Sequence, residues 1–350
     1  MEIHVDTVIR LMSVGASLLL LLLILVGRVR WSLKIALAGL LIGGSAYLIN
    51  SSSFLPIPQN FRYAIDLISL ITPFWTWLFA RIIFERAPSM WLLGILALFY
   101  VTGWALANFF EGPHGIGFYI IHITSLALVI NLVYVAISGF RDDLIDKRRL
   151  IRIFLPLLVG LQAGGILIYE LIYGTELTYS TAADDPLIQT INGLLIFTLV
   201  LLAGLALLNT EADLLAADES SGADETSGAA NLSPSQTVLH DKLTSAMSTG
   251  GYREAGLTIQ TLAETLGAPE HRLRALINRK LGHRNFSSFL NGYRIGEAKE
   301  KLADRDAVDL PILTIAMDLG YNSLAPFNRA FRTETGQTPS DFRKSAIDQN

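Results

Sequence analysis

The chain has 350 residues, 51% of them apolar, a formal net charge of −4 and no cysteine. The missing cysteine excludes a disulfide framework, Cys-ligated zinc and a thiol nucleophile. A mean hydropathy of +0.45 is above the usual range of a soluble globular chain, and the apolar excess is concentrated in residues 1–208.

The opening MEIHVDTVIR has no basic stretch and no small-residue cleavage site, so the first apolar run is expected to be a retained span. A span needs about 20 mostly apolar residues. Seven stretches qualify: Thr7–Gly27, Leu33–Ser53, Ala64–Phe84, Met90–Phe110, Ile116–Ser138, Ile151–Tyr173 and Leu187–Leu208. Their connections alternate in charge. Arg28 and Arg30 lie in the first, with Lys34 at the start of the second span, Arg86 in the third, and Arg141, Lys147, Arg148 and Arg149 in the fifth, while the second has only Arg62 and the fourth and sixth have no Lys or Arg. Positive residues stay on the cytoplasmic side. The N-terminus is therefore expected outside and the C-terminus inside, in a bacterial inner membrane. No Lys or Arg occurs between Arg152 and Lys242, so the seventh span lacks a basic anchor.

No lysine lies in the body of a span, which excludes a retinal Schiff base. Ionisable and amide groups within spans are functional candidates by default. Asp66, Asn108, His122, Glu170 and Asn192 all fall toward the outer side, with Trp104 nearby. They read either as a pocket for a small-molecule, lipid, proton or membrane-protein stimulus, or as interfacial side chains reaching for water.

Residues 209–235, NTEADLLAADESSGADETSGAANLSPS, are rich in Gly, Ser, Ala and acids and have no aromatics. Such a segment cannot bury enough apolar surface to fold and is expected to be a self-repelling tether.

Residues 236–350 have ordinary soluble composition. Residues 1–240 hold 12 Lys and Arg against 18 Asp and Glu, whereas 241–350 hold 15 against 13. Apolar residues recur at helical spacing and no strand pattern competes. IQTLAETL ends at Gly267, and PEHRLRALINRKL opens on Pro269 and stops at Gly282. ILTIAMDL opens after Pro311 and is capped by Gly320. SLAPFNRAFRTET then starts at Ser323 and ends at Gly336, before SDFRKSA. Each copy is helix, short glycine turn, helix, the arrangement that lays a second helix in a major groove. The helix between the copies, FSSFLNGYRIGEAKEKLAD, would be roughly 25–30 Å long, near the ~34 Å between successive major-groove faces. The expected fold is all-α: a seven-helix transmembrane bundle followed by a double helix-turn-helix domain.

The segments LAETLG, LRALINRKLG, NFSSFLNGYRIGEAKEKL, ILTIAMDLGYNSLAPFNRAFR and TGQTPSDFR resemble the DNA-binding domain of the AraC/XylS family. The resemblance covers Leu257–Lys344, about a quarter of the chain, and implies promoter binding. Seven spans stand where members often carry a soluble ligand-binding domain, so the chain resembles a membrane-bound subgroup. The positions matching base-reading residues are His271 and Arg274 in the first copy, and Leu324, Ala325, Asn328 and Arg329 in the second. Arg suits guanine and Asn suits adenine, and Leu or Ala can meet a thymine methyl. A phosphate contact or a solvated surface position is the alternative for Arg274, and His271 alone reads bases weakly. Arg272, Arg279, Lys280, Arg284, Arg332 and Arg343 suit phosphates. Arg294 is expected to pair internally with a carboxylate.

No P-loop, G-x-S-x-G or H-E-x-x-H motif occurs, so neither an enzyme nor a cofactor is expected. The expected partners are double-stranded promoter DNA and the lipid bilayer, with RNA polymerase and a second copy of the chain as further candidates. A receptor or transporter-like bundle whose cytoplasmic domain recruits partners is the competing reading.

Overall fold

The computed structural model describes residues 5–27, 30–52, 55, 57–110, 115–173, 186–209, 234–305 and 308–349. Most of the acidic tether expected from the sequence lies outside them. Two compact units divide the chain. One is Met1–Ser138 with Arg152–Gly222, and the other is Gly139–Ile151 with Ala223–Asn350. Among the described residues there is no strand, only one isolated antiparallel bridge.

The first unit contains α1 (Val5–Val26), α2 (Trp31–Asn50), α3 (Gln59–Leu70), α4 (Thr72–Ile83), α5 (Met90–Ala105) and α6 (Ile116–Ser138). It also holds most of α7 (Asp146–Val159), then α8 (Gly165–Tyr173) and α9 (Pro186–Asn209). Residue Ile71 separates α3 from α4, and proline in the first turn of α4 has no N–H to extend the ladder back. Helix α5 continues into a π turn, Leu106–Phe110. Pro156 lies within α7, which passes through a second π turn, Gly160–Gly164, into α8. Helix α1 packs on α9 and α2, and α5 packs on α6. A Cβ on Gly117 would lie 2.4 Å from the Gly103 carbonyl oxygen, so α5 and α6 meet backbone to backbone.

Six helical lengths among the described residues are long and apolar enough to cross a membrane: Val5–Val26, Trp31–Asn50, Asn60–Ile83, Met90–Phe110, Ile116–Ser138 and Arg148–Ile168. The seventh expected span falls on the 24 residues of α9, within which the described side chains form the apolar length Thr190–Leu201. Helix α1 buries polar residues together with Leu20 and Ile24 and leaves a run of leucines exposed. Asp6, Arg10, Ser13 and Ser17 are buried, while Leu18, Leu19, Leu22 and Leu23 are exposed.

The second unit contains α10 (Pro234–Ser248), α11 (Ile259–Leu266), α12 (Glu270–Ala275), α13 (Phe286–Ala303), α14 (Ile312–Asp318), α15 (Leu324–Thr335) and α16 (Pro339–Gln349), together with the segment Gly139–Ile151. It has two cores. Leu239, Leu243, Leu262, Leu273, Ile277 and Phe289 build the first, and Leu144 from the 139–151 segment inserts into it at 3% exposure. Ile295, Leu302, Ile315, Phe327 and Phe331 build the second, and Tyr252 packs against both. The 18 residues of α13 join the cores and span about 27 Å at 1.5 Å per residue. Thr258 caps α11 through a reciprocal bond pair with Thr261. Ser323 occupies the N-cap of α15 as expected, without a side-chain cap bond.

Gly267 and Gly320 both adopt positive φ, at 64° and 83°, but only Gly320 is crowded. A Cβ there would lie 2.5 Å from the Arg253 carbonyl oxygen and 2.8 Å from Arg294 Nη2, whereas one on Gly267 meets nothing within 4 Å. In denaturant melts of the full chain, Gly320→Ala is expected to cost at least ~2 kcal/mol, as strain and a backbone clash add. Gly267→Ala is expected to cost about 1–2 kcal/mol, from conformation alone. Equal losses would show that the contact of Gly320 with Arg253 carries no weight.

Candidate nucleic-acid interface

The two recognition helices are built differently. Helix α15 is regular, with Phe327 and Phe331 at 0% exposure in the core. Leu324, Ala325, Asn328, Arg329 and Arg332 lie on its exposed face. The one-turn spacing of the two aromatic residues separates these faces, as it would in any amphipathic helix.

The first recognition helix is not regular. Helix α12 stops at Ala275 and continues as a π turn, Leu276–Lys280. The Leu281 N–H donates to the Leu276 carbonyl, five residues back. The extra residue rotates the rest of the helix by about 100°. Asn278 consequently leaves the His271 face, and its Nδ2 donates to the His283 carbonyl at 2.9 Å. His271, Arg272 and Arg279 are exposed, and Lys280 and Arg284 are half-buried.

Arg274, expected on the base-reading face, is 4% exposed. Its Nε donates to Glu270 at 2.7 Å and its Nη1 to the Asp143 carbonyl at 2.5 Å. A second guanidinium nitrogen also meets Glu270. In this state the side chain is committed to the protein. The cause is the 139–151 segment, which lies along the first copy and supplies carbonyl oxygens.

Arg343, expected on phosphate, is bonded within the protein. Its Nη1 and Nη2 donate to the carbonyls of Val308 and Leu310 at 3.0 and 2.7 Å, which ties α16 to the segment before α14. Arg294 is internal, but its partners are carbonyls rather than a carboxylate: Tyr252 at 2.7 Å and Glu254 at 2.9 Å. The nearby carboxylate, Glu297, instead takes Tyr252, Arg253 and Lys301. Burial alone would raise the Glu297 pKa, but hydrogen bonds from Arg253, Tyr252 and Lys301 outweigh it and hold the carboxyl below its ordinary value. Burial pushes the Tyr321 phenol up to about 12, and its hydroxyl donates to Asn291 Oδ1 at 2.8 Å.

Several of the polar residues expected to line an outer pocket of the first unit bond at the last turn of α2. Arg10 is 1% exposed and donates to Asp6, to the Leu48 carbonyl at 2.6 Å and to Ser51 Oγ at 2.8 Å. Asn192 donates to Tyr47 Oη at 2.9 Å and accepts from Gln162 at 3.0 Å. Asp66 accepts from Asn50 at 3.2 Å and from Asn108 at 3.4 Å. Asp66 and Asn192 thus bond α2 directly, and Asn108 reaches it through Asp66. His122 does not join them through these bonds. Its Nδ1 meets the Phe118 carbonyl of its own helix at 2.8 Å, and its ring stacks on Phe118. The Glu170 side chain lies outside the described residues. Tyr47, Gln162 and Asn50 escaped the sequence reading. Their signal was only an amide or hydroxyl in an apolar run.

Comparison with known proteins bears on the second unit. The family described as "Helix-turn-helix domain" matches residues 262–345. The chain is 34% identical over 87 residues to the regulatory protein SoxS of Salmonella typhimurium, covering 25% of this chain and 78% of that protein. SoxS of Escherichia coli K12 is 33% identical over the same length and share. An uncharacterized HTH-type transcriptional regulator of Staphylococcus aureus strain MSSA476 is 36% identical over 96 residues, which is 27% of this chain and 12% of that protein. No solved structure matches. With both helix-turn-helix copies formed and most of a small regulator's length matched, the chain belongs to the AraC/XylS family of DNA-binding transcription regulators, which are not enzymes.

Proposed function

We propose that the protein is a membrane-embedded one-component regulator. In this reading a seven-span module in the bacterial inner membrane senses a stimulus, and the tethered C-terminal domain binds promoter DNA in the cytoplasm. The observation that carries the membrane half is the inverted burial of α1, where Arg10 is 1% exposed while Leu19 is 61% exposed. In water that exposure would cost about 1.5–3 kcal/mol per large apolar side chain. In lipid it costs nothing, and the buried polar groups bond one another. The family membership supplies the DNA-binding half.

Topology is tested with a periplasm-active reporter. Fusions after Pro113 or Ala183 are expected to be active, and fusions after Lys147 or Gly228 silent. Activity at Gly228 would put the DNA-binding region on the wrong side of the membrane and end this reading.

Readout is tested on DNA recovered from a genome-wide binding map of the full-length protein. Asn328→Ala is expected to cost about 1–3 kcal/mol at the recovered site and to relax preference at one base pair. Arg279→Ala is expected to weaken all sequences alike and to reduce the salt slope by about one. Equal losses on specific and random DNA for Asn328→Ala would remove it from the base-reading set.

We assign sensing to the polar network at the end of α2, which joins α1, α3 and α9 through Arg10, Asp66 and Asn192. The Trp104 indole Nε1, one turn from Asn108, is buried without a hydrogen-bond partner among the described residues. A promoter reporter in cells carrying Asn192→Leu or His122→Leu, each shown to insert normally, is expected to lose its response for Asn192→Leu. Wild-type basal output and response in both would make the network purely structural.

A further inference from the structure

The segment joining α6 to α7 belongs, by its contacts, to the DNA-binding unit rather than to the helices it connects. Its attachment is extensive. Asp143 and Asn285 form an antiparallel bridge. The Leu144 N–H donates to the Arg284 carbonyl at 3.2 Å, and the Phe286 N–H donates to the Asp142 carbonyl at 3.0 Å. The Asp142 carboxylate accepts from the Ser287 N–H at 2.8 Å and from its hydroxyl at 2.9 Å, at the start of α13. Leu144 fills the first core. Arg148 is 4% exposed, pairs with Asp143 at 2.6 Å and donates to the Arg284 carbonyl at 3.2 Å. These contacts lie on either side of Arg274, whose guanidinium takes the Asp143 carbonyl.

We propose that segment 139–151 is an autoinhibitory strap: it docks on the first helix-turn-helix copy and withholds Arg274 from DNA, so that strap docking and full DNA engagement exclude each other. This rests on the DNA-binding reading above. An Arg274 fixed to Asp143 and Glu270 is 4% exposed and cannot turn its guanidinium to a base edge while the segment is docked. The strap is continuous with two of the apolar helices, so a change in the α6–α7 pair is transmitted to Arg274 by chain connectivity alone. The strap also carries its own release elements. Its hold rests on Leu144, the Asp142 carboxylate, the two bridge bonds and the bonds of Arg148 and Arg274 to main-chain carbonyls.

The bridge supplies the test. Asp143 and Asn285 are a non-hydrogen-bonded pair, since their neighbours make the ladder bonds, and such pairs place Cα atoms about 4.5 Å apart, within disulfide range. The native chain has no cysteine, so the full-length double variant Asp143→Cys with Asn285→Cys can be studied in lipid nanodiscs without background. Mild oxidation is expected to give the intramolecular disulfide in the double variant and in neither single variant. Failure to form it overturns the docking.

The reduced double variant is then used to enrich duplexes from a randomised 40-base-pair pool, and the oxidised form is measured on the enriched DNA. The oxidised form is expected to bind at least about tenfold more weakly, the value of one lost arginine–base contact. In a glutathione redox buffer, excess enriched duplex is expected to lower the equilibrium fraction of oxidised chain, as reciprocity requires. Equal affinity of the two forms overturns the exclusion. If the disulfide forms and neither form enriches any duplex, the DNA-binding reading itself has failed, and the proposal with it. Asp142→Ala leaves both cores intact and should bind the enriched duplex several-fold more tightly than wild type. Unchanged or weaker binding counts against the strap.

Discussion

A guanidinium removed from water must be given acceptors, because an unpaired buried charge costs far more than any single contact returns. Arginine's five donors are spread over a planar fork, and main-chain carbonyls are acceptors that carry no opposing charge. Both units are organised by this requirement. Arg10 binds the carbonyl of Leu48, Arg152 that of Val135 and Arg294 those of Tyr252 and Glu254. Arg274 binds that of Asp143, and Arg343 those of Val308 and Leu310. Arg10 and Arg152 tie one helix to another, whereas Arg274, Arg294 and Arg343 tie their helices to segments outside the α-helices. Arg294 holds the turn before α11 against α13, which is why Gly320 must stay small beside it.

Much of the second unit was legible because amphipathic periodicity and glycine caps are local signals. Phe327 and Phe331 against Asn328 and Arg329 separate at helical spacing, and Gly267, Gly320 and Gly336 end helices in the left-handed region their lack of a side chain allows. The π turn in the first recognition helix was not legible. LRALINRKLG reads as continuous helix, and the insertion accompanies the turning of Asn278 to the His283 carbonyl. The burial of Arg274 was not legible for a different reason. The group that buries it lies 131 residues away in sequence, and periodicity has no information at that separation. The fifth loop did hold a clue, an apolar Leu144 and two adjacent acids in a stretch otherwise understood as a basic anchor. Arg148, counted there as a surface charge, is buried and paired.

The polar groups of the first unit were legible as a set but not in their partners. Hydropathy marks Asp66, Asn108 and Asn192 as costly wherever they sit in an apolar run. What it omits is that Tyr47, Leu48, Asn50 and Ser51 cluster at one helix end and can satisfy all three neighbouring helices from there. Each amide in the set needs several partners, so moving one helix relative to α2 breaks bonds on more than one side. That coupling is what a sensing role would use, and it is also what a purely structural role would need.

The strap's energetics are set by connectivity rather than by the strength of its bonds. A docking segment tethered to its target meets it at an effective concentration of order millimolar for short linkers, without any free diffusion. Covalent connection therefore lowers the affinity that its bonds must supply to populate the docked state. A modest set of bonds also makes release cheap. A two-state equilibrium is carried from mostly docked to mostly free by a differential of only about 5.5 kcal/mol. Part of that is supplied by DNA itself, since a guanidinium nitrogen bonded to a base edge cannot also donate to the Asp143 carbonyl. A stimulus acting on the spans need not unfold or transport anything. It has only to alter the geometry of the two helices that hold the strap's ends. Once released, the guanidinium returns to solvent beside Glu270 and is free to reach a guanine edge.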